Sequence, residues 1–291
     1  MPETAIARSG IDYEAFMALE DLARPFKYTE QETLLYALAI GLGQDPLDPD
    51  QLRFVYEGKS FQSIPTLAAV VARSPLPRTL PVNFNKVLHA EQFLTVHAEL
   101  PTSADLLADT RLTRIVDKGA DKGALIYYET CARQRSTGEQ VFTVGGSLLA
   151  RGDGGFGGSG DVARDPHPMP MRKPDLVVEI ETRTDQALLY RLTGDRNPLH
   201  ADPVFAKRAG FDRPILHGLC TYALACRAVL SSVCNYRPER IRQFNVRFTS
   251  PAYPGDKIFT DIWVDGNEVA FRCRVPQRDV VVLSNGFCQL A

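Results

Sequence analysis

Tyr190-Arg191-Leu192-Thr193-Gly194-Asp195-Arg196-Asn197-Pro198-Leu199-His200 brings an acid, an amide and an imidazole into six residues, Asp195 to His200. In a regular helix, at about 100° per residue, five steps would set the acid and the imidazole on different faces. Gly194 and Pro198 predict an irregular path instead: glycine admits unusual backbone angles, and proline fixes one and starts helices well. Asn197 before Pro198 predicts an N-cap followed by a first helical residue. His200 then falls in the first turn, near the positive end of the helix dipole, which favours a neutral imidazole able to take a proton. A purely structural reading stands beside this one: Asn-Pro is a common turn, Asp and Asn commonly cap, and a single His is often packed. The three groups together point to chemistry.

Working outward, the stretch has a partner earlier in the chain. Leu34-Leu35-Tyr36-Ala37-Leu38 matches Leu188-Leu189-Tyr190-Arg191-Leu192. Asp45-Pro46-Leu47-Asp48 matches Asn197-Pro198-Leu199-His200 after a two-residue shift, and Ile64-Pro65-Thr66-Leu67 falls opposite Leu216-His217-Gly218-Leu219. Phe84-Asn85 recurs as Phe244-Asn245. An internal duplication is the simplest account; chance likeness of leucine-rich helices is the alternative. Asp48 stands for His200, Asp45 for Asn197 and Thr66 for Gly218, so the first copy reads as one that kept the fold and lost the site.

Each half reads alike thereafter. Residues 13–22 are mixed and helix-like. Thr29 and Glu32 form a capping box before a helix through Thr33 to Gly41. Apolar, alanine-rich helices are expected from Leu67 to Arg73 and from Gly218 to Leu230, the second apolar nearly all round and therefore buried. Strands follow: Val82–Leu88, Phe93–Glu99, Asp109–Asp117, Ala124–Arg133 and Gln140–Ala150, then Arg242–Thr249, Lys257–Val264, Asn267–Val275 and Val280–Leu290. A central helix followed by antiparallel strands, twice, predicts an α+β architecture. Arg151 to Gly160 is glycine-rich and is followed by prolines to Pro174. It lacks the Gly-Lys-Ser/Thr ending of a phosphate loop and reads as a linker. The expected division is 1–150, a linker over 151–174, and 175–291.

The chain has 291 residues, 44% hydrophobic, with a net charge of -2. That balance gives no basic footprint for nucleic acid, and no apolar run is long enough to span a membrane. Met1 to Gly10 shows no secretory signal, and the chain ends Gln289-Leu290-Ala291, which is no peroxisomal address. Six scattered cysteines without a C-x-x-C pair read as reduced, buried thiols in a cytoplasmic protein.

Tyr190 to Leu219, with Gly194–His200 and Pro214-Ile215-Leu216-His217-Gly218-Leu219, resembles the signature of the R-specific enoyl-CoA hydratases (hydratase 2) of the MaoC-like group, and in particular the hydratase region of the peroxisomal multifunctional β-oxidation enzymes. Phe54–Gly58, Val87–Gln92, Asp117–Gly119 and Gly154–Gly158 resemble it as well. The resemblance implies a double hot-dog fold: two repeats, each a helix wrapped by an antiparallel sheet, with the catalytic residues in the second and an eroded, roomier site in the first. It implies reversible hydration of a trans-2-enoyl-CoA to the (3R)-3-hydroxyacyl-CoA, no metal and no cofactor beyond the CoA of the substrate, and a homodimer.

Carried over position by position, Asp195 and His200 would hold a water and handle protons, and Asn197 would orient them. The Gly218 N–H would donate to the thioester oxygen. His89, Ala90, Lys118, Arg196, Pro198, Leu199 and Phe248 match substrate-contacting positions, and Glu57 a supporting one. Ala90 replaces the family's usual glycine. Lys118 reads equally as a solvated turn lysine, and Phe248 as plain core. His97, His167 and His217 are taken as structural. Ser74 to Pro81 is short and proline-rich for this family, which leaves acyl specificity open. Two other readings are a hot-dog thioesterase, with water aimed at the carbonyl, and a non-catalytic acyl-CoA binding module.

Overall fold

Ten antiparallel strands form one sheet in the computed structural model, which describes residues 11–157 and 160–291. The expectation of no secretory signal over residues 1–10, and the part of the linker expectation that covers residues 158–159, fall outside the described residues. The first half contributes β1 (Glu20–Tyr28), β2 (Val87–Val96), β3 (Ala104–Asp117), β4 (Ala124–Gln134) and β5 (Gln140–Ala150). The second contributes β6 (Leu176–Glu181), β7 (Ile241–Phe248), β8 (Lys257–Asp265), β9 (Glu268–Val275) and β10 (Val280–Leu290).

The strand order is β1-β3-β4-β5-β2-β7-β10-β9-β8-β6. It reads the same from either edge once the second five strands are renumbered, as a duplicated hot-dog requires. The halves meet where β2 pairs with β7, Glu91 opposite Arg247. Glu91 is 5% exposed there and accepts from Arg247 Nη2 at 2.7 Å and from Ser147 Oγ at 2.7 Å. A buried carboxylate is tolerable only when so paired.

Eight α-helices are described: α1 (Tyr13–Met17), α2 (Glu30–Ala39), α3 (Pro49–Val55), α4 (Ala68–Val71), α5 (Leu76–Thr79), α6 (Gln186–Tyr190), α7 (Pro203–Arg208) and α8 (Gly218–Ser232). The capping box at α2 forms, with the Thr29 N–H donating to the Glu32 carboxylate at 2.7 Å. Helix α8 is buried almost all round, including Tyr222, Leu224, Val229 and Leu230. Its small residues Ala223, Ala225 and Ala228 have no exposed surface. They let the second repeat's strands close on it, and enlarging any of them would cost about 1–3 kcal/mol in overpacking.

The counterpart in the first repeat is shorter than the sequence suggests. A 3-10 turn, Pro65–Leu67, leads into the single turn of α4, and Ala72 has left helical geometry. Pro75 follows closely, and proline disfavours helix at the residue before it, so the turn of α4 does not run on into α5. Tyr36 and Tyr190, equivalent positions of the two copies, face each other with ring centroids 6.2 Å apart. Tyr36 donates its hydroxyl to Thr66 Oγ1 at 2.9 Å, so the first copy fills with a side chain the place where the second has Gly218.

Three expectations need correction. The helix-like reading of 13–22 holds only to Met17, and β1 begins at Glu20. The edge strands β1 and β6 have one covered face and polar, weakly alternating text. Val82–Leu88 is strand only from Val87, where β2 begins and runs unbroken past Phe93. Asp48 caps α3 by accepting from Asp50 and Gln51 N–H, as Asp202 caps α7 by accepting from Val204 and Phe205 N–H. Each is followed by proline, so the elements set Asp48 opposite Asp202 rather than His200. Between β5 and β6 the described residues contain no helix or strand. All six cysteines are free, and all but Cys131 are buried.

Candidate active site

Helix α6 runs into a 3-10 turn, Arg191–Thr193, which ends at Gly194 with φ 122°. Side chains rarely adopt that angle, so glycine is what lets the chain turn there and present Asp195. Asn197 caps as expected, its side chain accepting from the Leu199 N–H at 3.0 Å. The element it caps is a single 3-10 turn, Pro198–His200, and α7 begins only at Pro203. No long helix therefore lends its dipole to His200, and that part of the expectation fails.

The imidazole is nevertheless held neutral, by another cause. His200 is 9% exposed, and burial lowers its pKa against the opposing pull of the Ile215 carbonyl and Asp195. Its Nδ1 lies 2.9 Å from Ile215 O. A carbonyl can only accept, so Nδ1 carries the hydrogen and Nε2 keeps a free lone pair.

For Asp195, burial opposes ionisation, but the Arg73 guanidinium, the Asn197 N–H and the two histidines outweigh it and hold the carboxyl below its usual range. His217, taken from sequence as structural, belongs to the site. Its ring stacks on His200 at 3.7 Å between centroids, and its Nε2 is 3.0 Å from the Asp195 main-chain oxygen. It thereby fixes the backbone that carries the acid. Asp195, His200 and His217 each bring an N or O atom within 4.8 Å of the others. A guanidinium beside them already supplies positive charge, and one nitrogen of each ring is committed to a carbonyl. That donor set suits proton handling better than cation capture.

These groups line a cavity of about 650 Å³ with walls from both repeats. Gly218 opens α8 on its wall, and the first N–H groups of a helix have no intrahelical acceptor. A β-carbon on Gly218 would lie 3.2 Å from Phe248 Cε1, so glycine keeps the backbone approachable. Phe248 in turn packs on His89 at 4.8 Å between centroids. The cavity thus gathers Asp195, Asn197, Leu199, His200, Gly218, His89 and Phe248.

It does not gather Ala90, Lys118, Arg196, Pro198 or Glu57. Ala90 packs with Val116, Leu125 and Tyr127, off the cavity. The register of β2 shifts between His89 and Glu91, a bulge that separates the two neighbours' directions. Lys118 is exposed in the β3–β4 turn, where its N–H donates to Gly123 O, and Arg196, Pro198 and Glu57 are exposed. Arg73, Arg78 and Tyr128 line the cavity and had no signal in the sequence. They come from the first repeat, far along the chain, and no local motif marks them. Ser74, Pro77 and Arg78 show that the proline-rich segment forms part of the wall.

A palindromic ten-stranded sheet with an acid–imidazole pair at the N-terminus of one wrapped helix defines the MaoC-like double hot-dog class. Residues 26–152 match the model of the MFE-2 hydratase 2 N-terminal domain, and residues 166–285 that of the MaoC like domain. The chain belongs to the MaoC-like enoyl-CoA hydratase 2 family. It is 40% identical over 273 residues to a Mycobacterium tuberculosis protein named enoyl-CoA hydratase ChsH3, covering 90% of this chain and 92% of that one. It is 36% identical to an Arabidopsis thaliana protein named peroxisomal enoyl-CoA hydratase 2, covering 89% of each. Among solved structures, a MaoC-like dehydratase from Phytophthora capsici superposes with TM-score 0.86 at 30% identity, over 97% of this chain and 99% of that one.

Proposed function

We propose that this protein hydrates trans-2-enoyl-CoA reversibly to the (3R)-3-hydroxyacyl-CoA, as part of β-oxidation-type acyl-CoA metabolism. The observation that carries the proposal is the pairing of an ionised Asp195 with a neutral His200 whose free nitrogen is Nε2, in a cavity that a helix N-terminus enters. Relatives named enoyl-CoA hydratases, at 36–40% identity over most of the chain, support it.

In the proposed step, a water held by Asp195 and His200 loses a proton to the pair as its oxygen bonds to C3. The C2–C3 π electrons move toward the thioester, and the Gly218 N–H meets the charge that develops on its oxygen. The pair then returns a proton to C2. One water is added, and both groups end as they began. Asn197 orients the turn that carries them. CoA enters as part of the substrate, and no metal or separate cofactor takes part in this scheme.

Incubation with enoyl-CoAs of short, long and branched acyl chains tests the reading. Loss of the conjugated enoyl absorbance with formation of the (3R) alcohol, and without free thiol, is the expected result. Release of free CoA would make the protein a thioesterase, and tight binding without turnover a binding module. Cytoplasmic placement and a homodimer complete the proposal, and cell fractionation and sedimentation test them. Among the described residues, no helix is long and apolar enough to cross a membrane.

A further inference from the structure

The least satisfied polar group at the cavity belongs to the half of the chain without the catalytic motif. Arg73 follows α4, and both its Nη1 and Nη2 are buried with no hydrogen-bond partner. It lines the same cavity as Asp195. Nη1 lies 3.5 Å from where a β-carbon of Gly194 would stand, so the guanidinium sits against the turn that presents Asp195. The Arg73 main-chain oxygen accepts from Arg24 Nη2, which ties the segment to β1. A buried cation without acceptors is costly unless an anion or a bound molecule faces it.

We propose that Arg73 is a positioning residue for the reaction: its guanidinium, reaching across from the first repeat, anchors the Asp195 carboxylate electrostatically and so sets how that carboxylate holds the water. The eroded repeat then supplies charge to the site as well as room for the acyl chain. This rests on the hydratase reading.

Other groups face Asp195. His200 comes from its own turn, His217 from the loop before α8, Tyr190 from α6 and His89 from β2, and all are uncharged donors or acceptors near neutral pH. The cation within ion-pair distance of the carboxylate is Arg78 of α5, 3.9 Å from Asp195 Oδ2, and Arg73 stands farther off; but the Arg78 side chain is 65% exposed. Water screens an exposed charge far more than a buried one, so Arg73 dominates although both carry the same charge. Among the influences that favour the Asp195 carboxylate, that of Arg73 stands first.

The test compares the wild-type protein with Arg73→Gln, Arg73→Met and Arg73→Lys on one enoyl-CoA, recording kcat and KM against pH. The expected result for the two neutral variants is a kcat lowered by about 10–100-fold, with KM within about threefold. The lower part of the acid limb of kcat/KM, where Asp195 takes its proton at a pH beneath the charging of His200, should also move to higher pH by half a unit or more, and Arg73→Lys should restore it in good part. Arg78→Gln should move the limb by less than Arg73→Gln does. A limb that stays in place in a folded neutral variant overturns the proposal, whatever happens to the rate, and so does a rise in KM alone. If one neutral variant fails to fold, the other carries the test. A wild-type protein that hydrates no enoyl-CoA would instead remove the hydratase reading, a distinct outcome.

Discussion

The main-chain oxygen of Ile215 lies 2.9 Å from His200 Nδ1. This contact decides which imidazole nitrogen can take a proton, and it does so from the same loop that leads into α8. The tautomer of the base and the position of the Gly218 N–H are therefore set by one short segment, Ile215–Gly218.

His200 must be neutral to accept a proton, and burial holds its pKa below the ordinary 6.5. Activity should then be level through neutral pH and fall only below about 6.5, as the imidazole charges. A pH profile of kcat/KM checks this. An acid limb well above neutral would contradict it.

His217 bears on stability as well as on the site. It is 2% exposed, and burial first, then His200, draw its pKa from 6.5 down to about 4. Above that upper value both folded and unfolded chains carry it neutral. Below it, only the unfolded chain takes the proton, so the fold should weaken as pH drops from about 6.5 toward 4, by on the order of 1–2 kcal/mol at pH 5 from this group. Melting curves at about pH 7.5 and 5 should show a smaller acid-induced drop in His217→Gln than in the wild type. Equal drops would contradict the assignment.

Gly218→Ala should spare the fold and damage catalysis. The new β-carbon would stand 3.2 Å from Phe248 Cε1, where that ring packs on His89, and would press into the substrate's approach. Alanine suits a helix better than glycine, so Tm should hold or rise slightly. Alanine keeps the main-chain N–H, so the damage comes from holding the thioester oxygen away from it; forfeiting such a donor entirely costs about 3–4 kcal/mol, so kcat/KM should fall by up to roughly 10²–10³. A fully active variant would place the thioester elsewhere.

The junction between repeats gives a stability prediction remote from the chemistry. Glu91→Ala removes the acceptor of Arg247 and Ser147 at the β2–β7 seam. Breaking a buried pair costs about 3–5 kcal/mol. Arg247 is 34% exposed and can turn to water, so about 2–3 kcal/mol is expected by denaturant unfolding. A change under half a kcal/mol would mean that the seam rests on its backbone ladder alone.

What sequence revealed follows from where the information sits. Asp195, Asn197 and His200 are close in the chain, and Gly218 opens a long apolar helix, so motif and periodicity marked them. The interior strands β5 and β10 start and end where their β-branched text does, at Gln140–Ala150 and Val280–Leu290. Edge strands β1 and β6 escaped because one open face erases the alternation. His217 looked structural because its partners, Asp195 O and the His200 ring, lie many residues away. Arg73 escaped for the same reason, as a cross-repeat contact leaves no local pattern. The dipole argument for His200 failed because a cap residue and a proline announce a turn without fixing its length; burial, invisible before folding, produces the neutral imidazole instead.

The most direct test of the account is the initial rate of enoyl-CoA hydration in the wild type, Asp195→Asn and His200→Ala, each verified as folded by circular dichroism. The account predicts (3R)-3-hydroxyacyl-CoA from the wild type and a kcat lower by about 10²–10⁴ in each variant, the range for losing a general acid or base. Near-normal rates in both folded variants would contradict it.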